Sequence, residues 1–219
     1  MSFGRMPIAN GFLTAEQVAD EYFFELAPAF CNKCGMFQLV EQPQPDKMFH
    51  DQYAFYSSTS RYMQIHFNAF AKAVMQDILS GRSDPFVVEL GSNDGIMLRH
   101  FHDRGIRHLG VEPSVNVADV ARGSGIRTIS AFFNLKLADD IVAEHGHADA
   151  ILAANVMWGP RIITTDRQAP RICPRMIPLC SRFDSVLFTP KMFRIASYGD
   201  YSRSPPLFSF RRGWIWHSF

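Results

Sequence analysis

The stretch Pro85-Phe86-Val87-Val88-Glu89-Leu90-Gly91-Ser92-Asn93-Asp94-Gly95 decides the fold of this 219-residue chain. Its apolar first half has the length of a buried strand, and the two glycines that follow predict a tight turn. Residues from Ile96 to Arg104 predict a helix directly after that turn, which Gly105 closes. Strand, glycine turn and helix in this order open a nucleotide-binding βαβ unit.

The same alternation continues to about Val156 and predicts a parallel sheet with crossover helices, a doubly wound, Rossmann-like α/β core. The predicted elements are a strand at Leu109–Pro113, a helix at Asn116–Arg122, a strand at Ile126–Ile129, a helix at Leu135–Glu144 and a strand at Ala148–Val156. A further helix, from Tyr62 to Leu79, precedes the core. Its predicted apolar face comprises Ile65, Phe67, Phe70, Ala71, Val74, Met75 and Ile78.

The ends of the first two core strands carry the residues that favour a particular cofactor. Glu112 ends the second strand, where a carboxylate accepts hydrogen bonds from both hydroxyls of a ribose. Gly91 and Gly95 permit a sharp turn and a close approach to the cofactor, and Glu89 is placed to hold an amino group. Two acids and an asparagine around the turn oppose a diphosphate, so the pattern favours S-adenosylmethionine over a nicotinamide dinucleotide.

Two further polar residues at this edge have alternative interpretations. Asp94 either contacts the cofactor or caps the following helix, an interaction of about 1 kcal/mol. Asn155 ends the fourth strand at the edge where ligands bind in such sheets, and its alternative is a turn residue.

Residues 1–60 predict a small, loop-rich N-terminal domain with short strands, for example around Tyr22-Phe23-Phe24. Cys31-Asn-Lys-Cys34 has the spacing of half of a tetrahedral zinc site. This half-site is either completed by His50 or His66 or is a remnant, and the alternative to metal binding is two free thiols. The segment from Tyr53 to Ser60 is rich in aromatic and hydroxyl side chains, which line a ligand cleft or pack between two domains.

Residues 61–157 then form the methyl-donor-binding core, and residues 158–219 form a tail of different composition. The chain up to residue 157 has 12 Lys and Arg against 18 Asp and Glu, whereas the tail has 10 against 3. The tail also carries seven prolines and no regular period. An abrupt change inside a fold is typical of out-of-frame translation, and this is our hypothesis for the tail.

Net charge, apolar runs and cysteine content indicate the kind of partner and the location to expect. A net charge of +1 gives no general attraction to nucleic acid or to an anionic membrane. No secretion signal and no membrane-length apolar run is present, and four cysteines do not indicate a disulfide framework. We therefore expect a cytoplasmic protein with no nucleic-acid or membrane partner.

Several motifs together resemble the sugar C-methyltransferase family over about residues 3–157. The resemblance lies in the segments 7–13, 31–35, 53–60, 88–95, 110–118 and 153–156. It implies an S-adenosylmethionine-dependent core behind an N-terminal zinc-binding domain, and a nucleotide-linked keto-deoxysugar as the substrate methylated on carbon. It also implies roles for individual residues. The expected donor-site residues are Glu89, Gly91, Asn93, Asp94, Gly95, Glu112, Pro113 and Asn155; Tyr56, Ser57 and Ser58 approach donor or sugar; and Cys31 and Cys34 bind zinc.

The chain departs from the family pattern at two places. The first cysteine pair of the family would precede Met1, and the catalytic Tyr/His segment has no match after Met157. Carbon methylation needs a base to deprotonate the acceptor carbon, and neither His145 nor His147 is expected to replace it, so the catalytic residue stays unknown. We therefore expect a copy truncated at both ends. The alternatives are a catalytically impaired donor-binding fragment and a metal-binding interaction module built on residues 1–50.

Overall fold

The computed structural model describes residues 1–9, 11–30, 37–154, 156 and 186–188. No helix in these ranges combines the length and the apolar character that a membrane crossing requires.

The N-terminal part consists of short antiparallel pairs and single turns. Strand β1 (Arg5–Pro7) pairs with β2 (Phe23–Glu25), and β3 (Pro28–Phe30) pairs with β4 (Phe37–Leu39). A four-residue helix, α1 (Pro45–Met48), and 3-10 turns at Val18–Asp20 and Ser57–Thr59 complete this part. The predicted strand around Phe23 is therefore present.

Helix α2 (Arg61–Asp77) leads into the core. Ser60 caps it, because its side chain accepts a hydrogen bond from the Met63 N–H. Phe67, Ala71 and Val74 are buried against the sheet. Ile65, predicted on the same face, is 59% exposed; that assignment was wrong, because Ile65 is two positions from Phe67 and so points to a different side of the helix.

The core sheet has the order β7-β6-β5-β8-β9. Its strands are β5 (Phe86–Leu90), β6 (Arg107–Val111), β7 (Thr128–Ile129), β8 (Ala150–Ala153) and β9 (Val186–Phe188). The first four run parallel, and the crossover helices are α3 (Arg99–His102), α4 (Val115–Gly123) and α5 (Leu135–His145). This is the predicted doubly wound, Rossmann-like α/β core.

Strand β5 is buried along its whole length because both faces of the sheet are covered. Its side chains alternate between two apolar clusters. Val87 packs with the side chains of α2 and the turn before α3, whereas Phe86, Val88 and Leu90 pack on the α5 side. The continuous apolar run of the sequence therefore corresponds to a central strand between two layers.

The chain order reverses at β5, because β6 continues on one side of it and β8 on the other. In open α/β sheets, ligands bind in the crevice at the carboxyl ends of strands at such a switch point. The residues that directly follow β5 and β6 are therefore the first candidates for a ligand-binding site.

The described residues of the tail, 186–188, form a strand, contrary to the absence of any regular element expected there. Strand β9 runs antiparallel to β8, with Ile151 opposite Phe188 and Ala153 opposite Val186. It covers the edge of β8 that a four-stranded sheet leaves unpaired. The remaining residues of the tail lie outside the described part of the chain, and their origin from a shifted reading frame stays a hypothesis.

Candidate functional site

The turn after β5 has the backbone conformation that its glycines allow. Gly91, Asn93 and Gly95 have φ values of +62°, +49° and +77°, in the region that glycine enters at low cost and asparagine more readily than most residues. A Cβ on Gly91 would overlap Val156, and one on Gly95 would lie 3.0 Å from the Ile126 Cγ1. The close approach visible here is thus to the chain's own side chains, and an approach to a cofactor stays a prediction.

Glu112 follows β6 directly and lies beside this turn. One carboxylate oxygen accepts the Asn93 N–H and the other accepts the Ser114 N–H, both at 2.9 Å. The residue is only 4% exposed, and burial raises the pKa of its carboxyl more than these two hydrogen bonds lower it. Each oxygen has a second lone pair, so the carboxylate is fixed in place and can still accept two hydroxyls.

Three buried acids gather at the carboxyl ends of β5 and β6. Glu89 and Asp94 are 2% and 0% exposed and join Glu112 there. Burial, and then the nearby carboxylates of Glu112 and Asp94, raise the pKa of Glu89 well above its ordinary value. The Glu89 Oε2 and the Asp94 Oδ1 have no hydrogen-bond partner among the described residues. Such a cluster lowers its free energy by binding a positively charged group.

The interpretation of Asp94 as a helix N-cap was wrong. Helix α3 begins at Arg99, with Leu98 at its N-cap. The Asp94 Oδ2 instead accepts a hydrogen bond of 2.9 Å from the Ser58 N–H. Asp94 therefore connects the turn to the segment that precedes α2.

The segment from Tyr53 to Ser60 lies against the turn and the start of α4. The Asn93 side chain accepts the Ser57 N–H at 2.9 Å and donates to the Phe55 carbonyl at 3.0 Å. The Asn116 Nδ2 donates to the Tyr53 carbonyl at 2.8 Å and to the Tyr56 hydroxyl oxygen at 2.9 Å. The segment thus packs on the turn of the candidate donor site, and its part in lining a ligand cleft stays a prediction.

Asn116 lies in the segment 110–118 that carries the resemblance, but no site role was predicted for it from the sequence. It lies in the first turn of α4, three residues after the half-buried Pro113. The local signal for it is weak, because asparagine near a helix start is ordinary. Its partners lie about sixty residues earlier in the chain, and only the tertiary fold brings them together.

The predicted zinc ligands Cys31 and Cys34, and the predicted donor-site residue Asn155, lie outside the described residues. Within the described ranges, no group of three or more His, Cys, Asp or Glu side chains is arranged to hold a metal ion. His50 accepts a hydrogen bond from the Gln52 N–H, and His66 packs on Phe70. The completion of the half-site by either histidine stays a prediction.

His145 lies far from the candidate site. It ends α5 and its ring packs 5.9 Å from the ring of Phe86, the first residue of β5. The amino end of β5 is the edge of the sheet opposite to Glu112, which agrees with the expectation that His145 is not the catalytic base.

Comparisons with known proteins match both the N-terminal part and most of the chain in sequence. The "Putative zinc binding domain" family model matches residues 1–49. The C-methyltransferase NovU of Streptomyces niveus is 33% identical over 150 residues, which are 68% of this chain and 35% of that protein. This similarity in sequence supports the resemblance to the sugar C-methyltransferase family. The chain spans about a third of the length of this curated relative.

Solved structures of methyltransferases also match, at low similarity. CalS10, an amino pentose methyltransferase from Micromonospora echinaspora, is 14% identical with a TM-score of 0.33, over 51% of this chain and 61% of that one. The magnesium protoporphyrin IX methyltransferase ChlM from Synechocystis PCC 6803 is 9% identical with a TM-score of 0.35, over 57% of this chain and 77% of that one. The assignment of the fold rests on the strand order of the sheet itself.

Proposed function

We propose that this chain binds S-adenosylmethionine at the carboxyl edge of β5 and β6, as the donor-binding part of a methyltransferase. The observation that carries the proposal is the Glu112 carboxylate, held by two backbone N–H groups beside a glycine turn at the switch point of the sheet. A carboxylate in this place accepts both ribose hydroxyls without having to move.

The charge of the donor supports the same proposal. S-adenosylmethionine carries a sulfonium and an ammonium group, and both favour the acidic environment of Glu89, Asp94 and Glu112. A dinucleotide carries two negative phosphates, which these three buried acids repel. The turn holds Asn93 and Asp94 where a dinucleotide site presents free N–H groups at a helix N-terminus.

The proposed acceptor is a carbon atom of a nucleotide-linked keto-deoxysugar. This finer assignment follows the family, whose curated member matched here is a C-methyltransferase. Bound donor supplies an electrophilic methyl group, and this chain's own contribution is to hold and orient that donor. A base must also remove a proton from the acceptor carbon, and the described residues at the carboxyl edge offer no histidine for that step.

Calorimetric titration of the full chain with S-adenosylhomocysteine tests the donor site. We expect saturable binding that Glu112→Ala weakens by about 10- to 100-fold, the effect of losing hydrogen bonds to a charged acceptor. Asp119→Ala is the matched control, because Asp119 lies on the exposed side of α4. No binding by a folded sample, or equal affinity of the Glu112→Ala variant, would exclude this site.

Two further measurements separate the remaining parts of the proposal. Methyl transfer to a keto-deoxysugar nucleotide by the same sample distinguishes an enzyme from a donor-binding protein without turnover. Zinc analysis of the wild type and of a Cys31→Ser, Cys34→Ser double variant tests the metal. Zinc present only in the wild type supports ligation by these cysteines, and equal zinc in both excludes it.

A further inference from the structure

The orientation of the Asn116 side-chain amide is fixed by its surroundings. Its Nδ2 lies 2.8 Å from the Tyr53 carbonyl oxygen, which can only accept. The amide must therefore present its NH2 group to Tyr53, because the opposite orientation would place two acceptor oxygens together. The same NH2 group reaches the Tyr56 hydroxyl oxygen at 2.9 Å.

This arrangement determines what the Tyr56 hydroxyl can do. Its oxygen accepts from Asn116, so its hydrogen is directed away from Asn116. The Asn116 Oδ1 does not receive that hydrogen, since it has no partner in the described part of the chain. The next two residues, Ser57 and Ser58, bind the turn through Asn93 and Asp94. Tyr56 is thus a hydrogen-bond donor held beside the candidate donor site.

The proposed donor molecule needs such a group. Its methionine end carries an ammonium and a carboxylate, and Glu89, Asp94 and Glu112 match only the ammonium. The carboxylate must find N–H or O–H donors in an otherwise acidic site, and a hydroxyl that donates to a carboxylate makes a short, strong hydrogen bond.

We infer that Asn116 is a positioning residue that directs the Tyr56 hydroxyl hydrogen to the carboxylate of the bound methyl donor. This inference rests on the proposed function. It adds a specificity element, because the site then distinguishes donors with the amino-acid carboxylate from donors that lack it.

The test compares S-adenosylmethionine with decarboxylated S-adenosylmethionine, which lacks only the carboxylate, on the full-length chain. Tyr56→Phe should weaken binding of S-adenosylmethionine by about 10-fold or more and change binding of the decarboxylated compound by less than about twofold. Tyr62→Phe is the matched control, because Tyr62 is 82% exposed on α2 and loses the same atom.

Asn116→Asp tests the positioning role. A carboxylate at this place would accept the Tyr56 hydroxyl hydrogen and so reverse the hydrogen bond. We expect this substitution to weaken binding of S-adenosylmethionine strongly in the wild type and much less in the Tyr56→Phe background. Both backgrounds share the changed contact to the Tyr53 carbonyl and the added charge. The difference between their two losses of affinity therefore reports only the Tyr56 hydroxyl.

Each outcome has a distinct meaning. If the wild type binds neither compound, the proposed function fails, and the inference fails with it. If the wild type binds S-adenosylmethionine and Tyr56→Phe binds it equally well, only the inference fails. Equal losses for the two compounds would exclude the carboxylate as the partner, and equal effects of Asn116→Asp in the two backgrounds would exclude positioning through Tyr56. Should Asn116→Asp not fold, the comparison of the two compounds on Tyr56→Phe still decides the contact.

Discussion

Substituting Gly91 by alanine should destabilise the chain far more than the same change at Gly105. The two glycines have nearly equal φ values, +62° and +66°, so an alanine at either position costs about 1–2 kcal/mol for the left-handed backbone. The surroundings differ. A Cβ at Gly105 meets nothing within 4 Å, whereas one at Gly91 overlaps Val156. Overpacking adds about 1–3 kcal/mol, which gives about 2–5 kcal/mol for Gly91→Ala and about 1–2 kcal/mol for Gly105→Ala.

Urea unfolding followed by circular dichroism measures both variants, and Val156→Ala completes the design. Truncating Val156 removes the atom that the new Cβ would meet. Gly91→Ala and Val156→Ala should therefore be coupled by about 1 kcal/mol or more, whereas Gly105→Ala and Val156→Ala should be additive. Equal destabilisation by the two glycine substitutions, or additivity of Gly91→Ala with Val156→Ala, would refute the packing argument.

Three further predictions concern buried or half-buried polar groups. Burial lowers the pKa of His108, whose Nδ1–H donates to a carbonyl while Nε2 accepts the Arg127 N–H. The unfolded chain therefore binds this proton more readily, and the stability of the folded chain should fall as pH drops below the ordinary value of 6.5. Urea titrations at several pH values should show a smaller fall for His108→Gln. The pKa of Glu89 is raised by burial, so the folded chain keeps this proton to higher pH than the unfolded chain does, and the stability of the wild type should fall as pH rises above 4.5. Glu89→Gln lacks this dependence on pH. It should be more stable than the wild type at neutral pH yet bind S-adenosylmethionine more weakly, and lower stability than the wild type at pH 7 would contradict this. Asn93→Gly keeps the positive φ but removes two side-chain hydrogen bonds. Hydrogen exchange of the Ser57 amide should therefore accelerate, with little change in the sheet. Unchanged exchange would show that Asn93 does not hold the Tyr53–Ser60 segment.

Local patterns predicted most of the core because the forces that form it act over a few residues. An apolar run of strand length, a glycine turn and a helix with one apolar face are each set by neighbours in the chain. Helices α2, α4 and α5 and strands β5 and β6 accordingly lie within a few residues of their predicted positions. Ile65 was assigned wrongly because helical periodicity identifies a face only approximately.

The partners of the polar residues could not be read from the sequence. The sequence suggested Asp94 as the cap of a helix, yet α3 begins only at Arg99 and Asp94 binds Ser58, which is 36 positions away. Val156 decides the requirement for glycine at position 91, although nothing near Gly91 in the sequence indicates it. Strand β9 pairs with β8 across a stretch without regular pattern, and edge pairing depends on backbone groups that any sequence has.

The sequence by itself determined the class of fold, the glycine turn and the position of Glu112 at the end of the second core strand, because strand and turn propensities are local. Only the tertiary structure decided that the Tyr53–Ser60 segment lies on the turn, that Asn93, Asp94 and Asn116 hold it there, and that three buried acids share one site. The physical reason is that hydrogen bonds and charge interactions depend on distances in space, and the fold sets these distances between residues far apart in the chain.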